Sequence, residues 1–94
     1  MQDFNQLEKK ARDLFKNGEF QDALKIYLHM ASGDPSLDAG YLGERIAMCY
    51  QSLGDLYSAK YWYGRAVEEN PEVRLYSAKM LSEMSDLGID HLLH

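Results

Sequence analysis

Three residue types in this chain could support chemistry if the fold brought them together. His91 and His94 are three apart, a spacing that puts two imidazoles on one helical turn, as in some metal sites. The nearby acid is Asp90, no cysteine lies beside them, and His29 is far away in sequence. Imidazoles so close to a chain end are ordinarily solvated, so no metal site is expected. Cys49 is the single cysteine; it can make neither an internal disulfide nor a cysteine-rich metal site. It falls on an apolar helical stripe, where a buried structural thiol is expected. A nucleophilic cysteine needs an activating base, and none can be placed beside it. Gly40 and Gly43 lack the lysine and hydroxyl residue that a phosphate-cradling loop requires. No cofactor is expected, and the chain reads as non-enzymatic.

The elements that would carry any site are helices. The chain has 94 residues, enough for one domain, and a net charge of −5. That acidity disfavours a general nucleic-acid binder, which neutralises phosphates with a basic surface. No apolar run approaches the roughly 20 residues that span a bilayer, and no basic-then-apolar leader opens the chain. A cytoplasmic protein, with no nucleic-acid or membrane partner, is expected.

One pattern occurs twice: Gly18-Glu19-Phe20-Gln21-Asp22-Ala23 and Gly54-Asp55-Leu56-Tyr57-Ser58-Ala59. Ala11 pairs with Ala47, Leu14 with Tyr50, Tyr27 with Tyr63 and Pro35 with Pro71. All share one offset of about three dozen residues, the range of a helical repeat. Helical periodicity predicts five helices. The first starts near Asp3 or Asn5 and ends at Gly18. The second runs from about Glu19, with Phe20, Ala23, Leu24, Tyr27, Met30 and Ala31 inward. Gly33-Asp34-Pro35 restarts the chain, and the third runs from about Pro35 to Leu53. Its apolar face is Leu42, Ile46, Cys49, Tyr50 and Leu53, with Gly40 and Gly43 inside it. The fourth covers Asp55 to Glu69, with Leu56, Ala59, Tyr63, Ala66 and Val67 inward. Asn70-Pro71-Glu72 repeats the restart, and the fifth spans Pro71 to Ser85, closed by Gly88. No strand is expected, because no segment alternates with period two for long.

These landmarks resemble the tetratricopeptide repeat, a two-helix unit of about 34 residues. The small residues Ala11 and Ala23, then Ala47 and Ala59, stand where that family packs paired helices closely. Gly18 and Gly54 match the turn glycine, Tyr27 and Tyr63 the late aromatic, and Pro35 and Pro71 the closing proline. Met30 departs from the small residue expected there, and Leu7 and Gly43 stand where tryptophan is frequent. The resemblance implies an all-α, right-handed superhelix of antiparallel helix pairs. It divides the single domain 1–94 into unit one (about 4–34), unit two (about 35–70) and a capping helix with tail (about 71–94).

The resemblance also implies a function: a scaffold, adaptor or chaperone-like module that binds a partner's peptide or helix in a concave groove lined by the first helices. Carried over, the groove holds Asn5, Glu8, Arg12, Phe15 and Lys16 from the first helix. Tyr41, Glu44, Arg45, Met48 and Gln51 come from the third, and Leu75, Lys79 and Ser82 from the fifth. Arg12, Lys16, Arg45 and Lys79 concentrate positive charge there, which suits a ligand bearing carboxylates. The competing expectation is ordinary solvated helix charge, with Glu8 and Glu44 offsetting the cations in pairs along each helix. Of the positions that bind a C-terminal carboxylate in some chaperone-binding members, only Lys79 matches by type, so that two-carboxylate clamp is not expected. The alternative is a structural role as a homodimer. Ile26 and Trp62 occupy equivalent outward places with Tyr57 and Tyr61 close by, and the tail offers Ile89, Leu92 and Leu93.

Overall fold

Glycine sets the turns of this molecule. Gly18 and Gly54 take φ of +81° and +87°, in the left-handed region that a side chain disfavours. The hydrogen bonds around them are the same in both places. The Glu19 amide donates to the Leu14 carbonyl at 2.9 Å and Gly18 to Phe15 at 3.0 Å. Asp55 donates to Tyr50 at 2.9 Å and Gly54 to Gln51 at 3.0 Å. Each is a Schellman ending, which satisfies carbonyls that a helix terminus would leave bare. The repeated glycine-acid pattern is thus a repeated helix stop.

A computed structural model describes residues 4–34 and 40–84. It is all-α over those residues, with helices α1 (Phe4–Lys16), α2 (Phe20–Ser32), α3 (Tyr41–Ser52), α4 (Leu56–Glu69) and α5 (Leu75–Glu83). Each packs chiefly on its chain neighbours. The links Asn17–Glu19 and Leu53–Asp55 are so short that the helices they join must run back on one another. The expected roles of Asp3, Pro35, Gly88 and the apolar tail, with His91 and His94, lie outside the described residues.

Two helix starts differ from expectation. The third helix begins at Tyr41, not Pro35. Gly40 precedes it at φ +87°, and a Cβ there would stand 2.7 Å from the Ala66 carbonyl oxygen. Gly40 is therefore not a mid-helix weakness; it is a close-packed corner. The fifth helix begins at Leu75, not Pro71. The Asn70 carbonyl accepts from the amides of Val73 at 3.2 Å and Arg74 at 2.9 Å, which makes the proline segment a turn. The helix starts that follow the two glycine stops differ as well. Asp55 accepts from the Ser58 amide at 3.1 Å and from its hydroxyl at 2.7 Å, whereas Glu19 caps α2 with no side-chain bond. Both Ser58 bonds favour the ionised carboxyl and hold the Asp55 pKa below its ordinary value.

The core is two adjoining clusters, and α3 contributes to both. Ala11, Ala23, Leu24, Tyr27 and Met30 enclose Leu42, Ile46 and Cys49 from one side of it. Ala47, from its other side, joins Ala59, Tyr63 and Met84. The four alanines of the repeat are fully buried. Each sits where a larger side chain would hold paired helices apart. Leu53 and Leu56, expected inward, are instead exposed: they flank the Gly54 stop, where the chain turns through solvent.

Candidate functional site

Helices α1 and α3 bond directly to each other. The Tyr41 hydroxyl of α3 donates to Glu8 Oε1 of α1 at 2.5 Å. Glu8 also faces Arg12 Nη1 at 3.5 Å along the same helix. The next interval repeats the idea with different residues. The buried Ser77 hydroxyl of α5 donates to Glu44 Oε2 of α3 at 2.6 Å. Arg74 Nη1 stands 3.7 Å from the other oxygen of Glu44. In both places an acid on one helix fixes the helix that follows it on this face. Glu8 therefore does pair along its helix, as ordinary helix charges do. Glu44 does not: its partners come from beyond α4.

Arg45 follows Glu44 on α3 and has a different set of contacts. Its guanidinium carbon sits 4.9 Å from the Phe15 ring centroid and 5.6 Å from that of Tyr27. Its Nε donates to the Tyr27 hydroxyl at 3.2 Å, and one Nη contacts Met48 Sδ at 3.8 Å. Two ring faces attract the cation through their quadrupoles, and Met48 offers a polarisable wall. Among the described residues no carboxylate pairs with Arg45. The side chain is half-buried and oriented, yet no anion from the described residues stands beside its charge.

Other groups on this face are shaped by burial. Desolvation, with the bond to Glu8, raises the Tyr41 pKa well above the usual phenol range. Burial raises the Tyr63 pKa, and its hydroxyl donates to Gln51 Oε1 at 2.7 Å. The Cys49 thiol is pushed up to about 11 by burial, which the positive charge of Arg45 offsets only in part. A thiol of that acidity is protonated at neutral pH and is a poor nucleophile. No group of three or more histidine, cysteine, aspartate or glutamate side chains among the described residues could hold a metal ion.

The face thus brings together Glu8, Arg12, Phe15, Tyr41, Glu44, Arg45 and Met48, with Gln51 at its edge. Asn5, Lys16, Leu75, Lys79 and Ser82 are exposed, and none of them bonds to that cluster. Three contributors lie outside the groove that the sequence predicts. Tyr27 belongs to the predicted core, but a tyrosine rather than a phenylalanine at a buried position already signals a hydroxyl in need of a partner. Ser77 gives no such signal, since serine is ordinary on a helix. Arg74 falls in the unexpected turn before α5; its Nε is buried without a hydrogen-bond partner among the described residues.

On α4, Tyr57 and Tyr61 are exposed, whereas Trp62 of α4 and Ile26 of α2, expected outward, are half-buried against the core. A surface pocket of about 350 Å³ lies along α1, lined by Gln6, Lys9, Lys10, Asp13, Leu14 and Asn17; Lys9 and Asp13 are paired there at 3.0 Å. No helix among the described residues is long and apolar enough to cross a membrane. Comparison with protein-family models, curated proteins and solved structures finds no match for this chain.

Proposed function

We propose that this chain is a tetratricopeptide-like interaction module, a right-handed stack of helix pairs, that binds a carboxylate-bearing peptide or helix of a partner protein. The ligand lies along the face shared by α1, α3 and α5. The observation that carries this reading is Arg45: a half-buried guanidinium, stacked between Phe15 and Tyr27 and supported by Met48, with no carboxylate from its own chain among the described residues. An arginine fixed before binding loses little freedom when it takes a carboxylate, and hydrogen bonds to a charged group contribute about 1.5–3 kcal/mol. Phe15 and Met48 supply apolar contact beside it, and the exposed Lys16 and Lys79 add positive charge at the margins.

Glu8 and Glu44 do not oppose this role. Glu8 is occupied by Tyr41 and Arg12, and Glu44 by Ser77 and Arg74. The test is affinity capture from a lysate with the native chain and with the double variant Arg12→Glu, Arg45→Glu. Capture falls at least about tenfold, a change of about 1.4 kcal/mol, while circular dichroism shows the helices intact. Capture that survives the double charge reversal contradicts the proposal.

A further inference from the structure

The outer face of α4 holds a residue that internal packing leaves unexplained. At about 3.6 residues per turn, Tyr57, Lys60, Tyr61, Gly64 and Glu68 share one side of the helix. The buried Ala59, Tyr63 and Ala66 occupy the other. Gly40 needs to be glycine because it is close-packed, and Gly18 and Gly54 because of their positive φ. Gly64 has neither reason. It lies in mid-helix, its φ is not positive, and a Cβ built on it meets nothing within 4 Å. A mid-helix glycine weakens a helix relative to alanine, and nothing among the described residues accounts for it.

The surroundings of Gly64 form a notch beside an ordered ridge. Tyr57 and Tyr61 are 55% and 58% exposed. Tyr61 meets the Trp62 ring edge-on at 5.5 Å, and Arg65 braces both rings at 6.0 and 5.4 Å while donating to the Tyr61 hydroxyl at 3.3 Å. A small residue flanked by rigid aromatic side chains lets a second helix approach closely.

We infer that this face docks the α4 of a second copy of the chain, antiparallel, with the two helices crossing at Gly64. Charge selects both the occupant and its direction. Lys60 and Glu68 each lie about 6 Å from Gly64 along the axis, on opposite sides of it. A two-fold axis through the crossing sets Lys60 of each copy opposite Glu68 of the other, giving two complementary pairs. A parallel crossing would set lysine against lysine and glutamate against glutamate. The exposed parts of the two tyrosines amount to roughly 200 Å², against roughly 800 Å² per partner in a standard interface. Even with the exposed Leu53 and Leu56 beside them, the dimer is reversible, with a dissociation constant on the order of 100 µM. This contact lies on α4 and does not depend on Arg45 or on the reading of the α1–α3–α5 face.

Sedimentation of the full chain from about 10 to about 500 µM tests it, because that range spans the expected constant. The native chain dimerises across the range. Gly64→Leu weakens dimerisation at least tenfold while melting no lower than the native chain, and Gly64→Ala melts about 4–8 °C higher. Glu68→Lys also weakens it, and adding Lys60→Glu to that variant restores it. A native chain that is still monomeric at the top of the range overturns the inference. So does a dimer whose constant changes less than twofold in Gly64→Leu.

Discussion

At the scale of single residues, the hydroxyls and charges of the α1–α3–α5 face do structural as well as recognition chemistry. Glu44 receives Ser77 at 2.6 Å and stands 3.7 Å from Arg74, all three at least partly screened from solvent. Glu44→Ala takes the acceptor from Ser77 and leaves the Arg74 guanidinium with no ion-pair partner among the described residues. A loss of about 1–3 kcal/mol is expected, read as a lower urea midpoint at unchanged slope. Cys49 gives a second test. It is fully buried and its thiol is shifted to about 11. Alkylation at pH 7.5 should therefore be slow in the native chain and fast in denaturant. Native alkylation at the rate of a free thiol would mean that the α2–α3 interface opens readily.

At the scale of elements, the helix boundaries decide where side chains can meet. Helix stops at Gly18 and Gly54 are legible in the sequence because positive φ selects glycine directly. The starts of α3 and α5 are less legible. Proline is compatible with a first helical turn and equally with a β-turn, and its φ fits both. At Asn70 the turn prevails, since the Asn70 carbonyl takes the amides of Val73 and Arg74. At Gly40 the deciding contact is with the Ala66 carbonyl, distant in sequence and invisible to local pattern. Gly40→Ala therefore meets a left-handed backbone penalty and a steric clash together. A destabilisation of about 2–4 kcal/mol is expected, far more than a change at a solvent-facing turn. A melting temperature within a degree or two of the native value would contradict the close approach of α4 to this corner.

At the scale of the whole molecule, the two clusters share α3, so the described helices should unfold together and the buried tyrosines should report it. Burial raises the pKa of Tyr27, Tyr41 and Tyr63 above the ordinary value near 10. The folded state then holds these protons longer than the unfolded state does. Stability from this source is complete below pH 10 and is lost as pH rises above it. Denaturation midpoints should be flat from about pH 7 to 8, begin to fall near pH 9 as the Cys49 thiol of the unfolded chain ionises, and fall more steeply beyond about pH 10 as its tyrosines do. Phenolate absorbance should rise in two stages, exposed rings first and buried rings only with unfolding.

The candidate site is legible in the sequence only in part, and for a physical reason. Repeat landmarks fix which helix face is presented, so Glu8, Tyr41, Glu44, Arg45 and Met48 can be named together. Whether a cation on that face is spent inside the chain depends on three-dimensional partners. Among the described residues, Arg12 meets Glu8, whereas Arg45 meets rings, a sulfur and a hydroxyl. The i,i+4 spacing of Glu8 and Arg12 already marks the first pair, and Arg45 has no acid three or four residues away on its helix; the Phe15 and Tyr27 rings that hold it come from other helices and are not legible in local spacing.

The proposed function rests on Arg45 being held open for a carboxylate. Selection from a random displayed peptide library against the native chain tests this for any partner sequence. Enriched peptides should carry a fixed aspartate or glutamate beside an apolar residue. Their affinity should fall at least about tenfold for Arg45→Met, which removes the charge and keeps comparable bulk. Enriched peptides without an acid at any fixed position, or affinity unchanged by Arg45→Met, would contradict it.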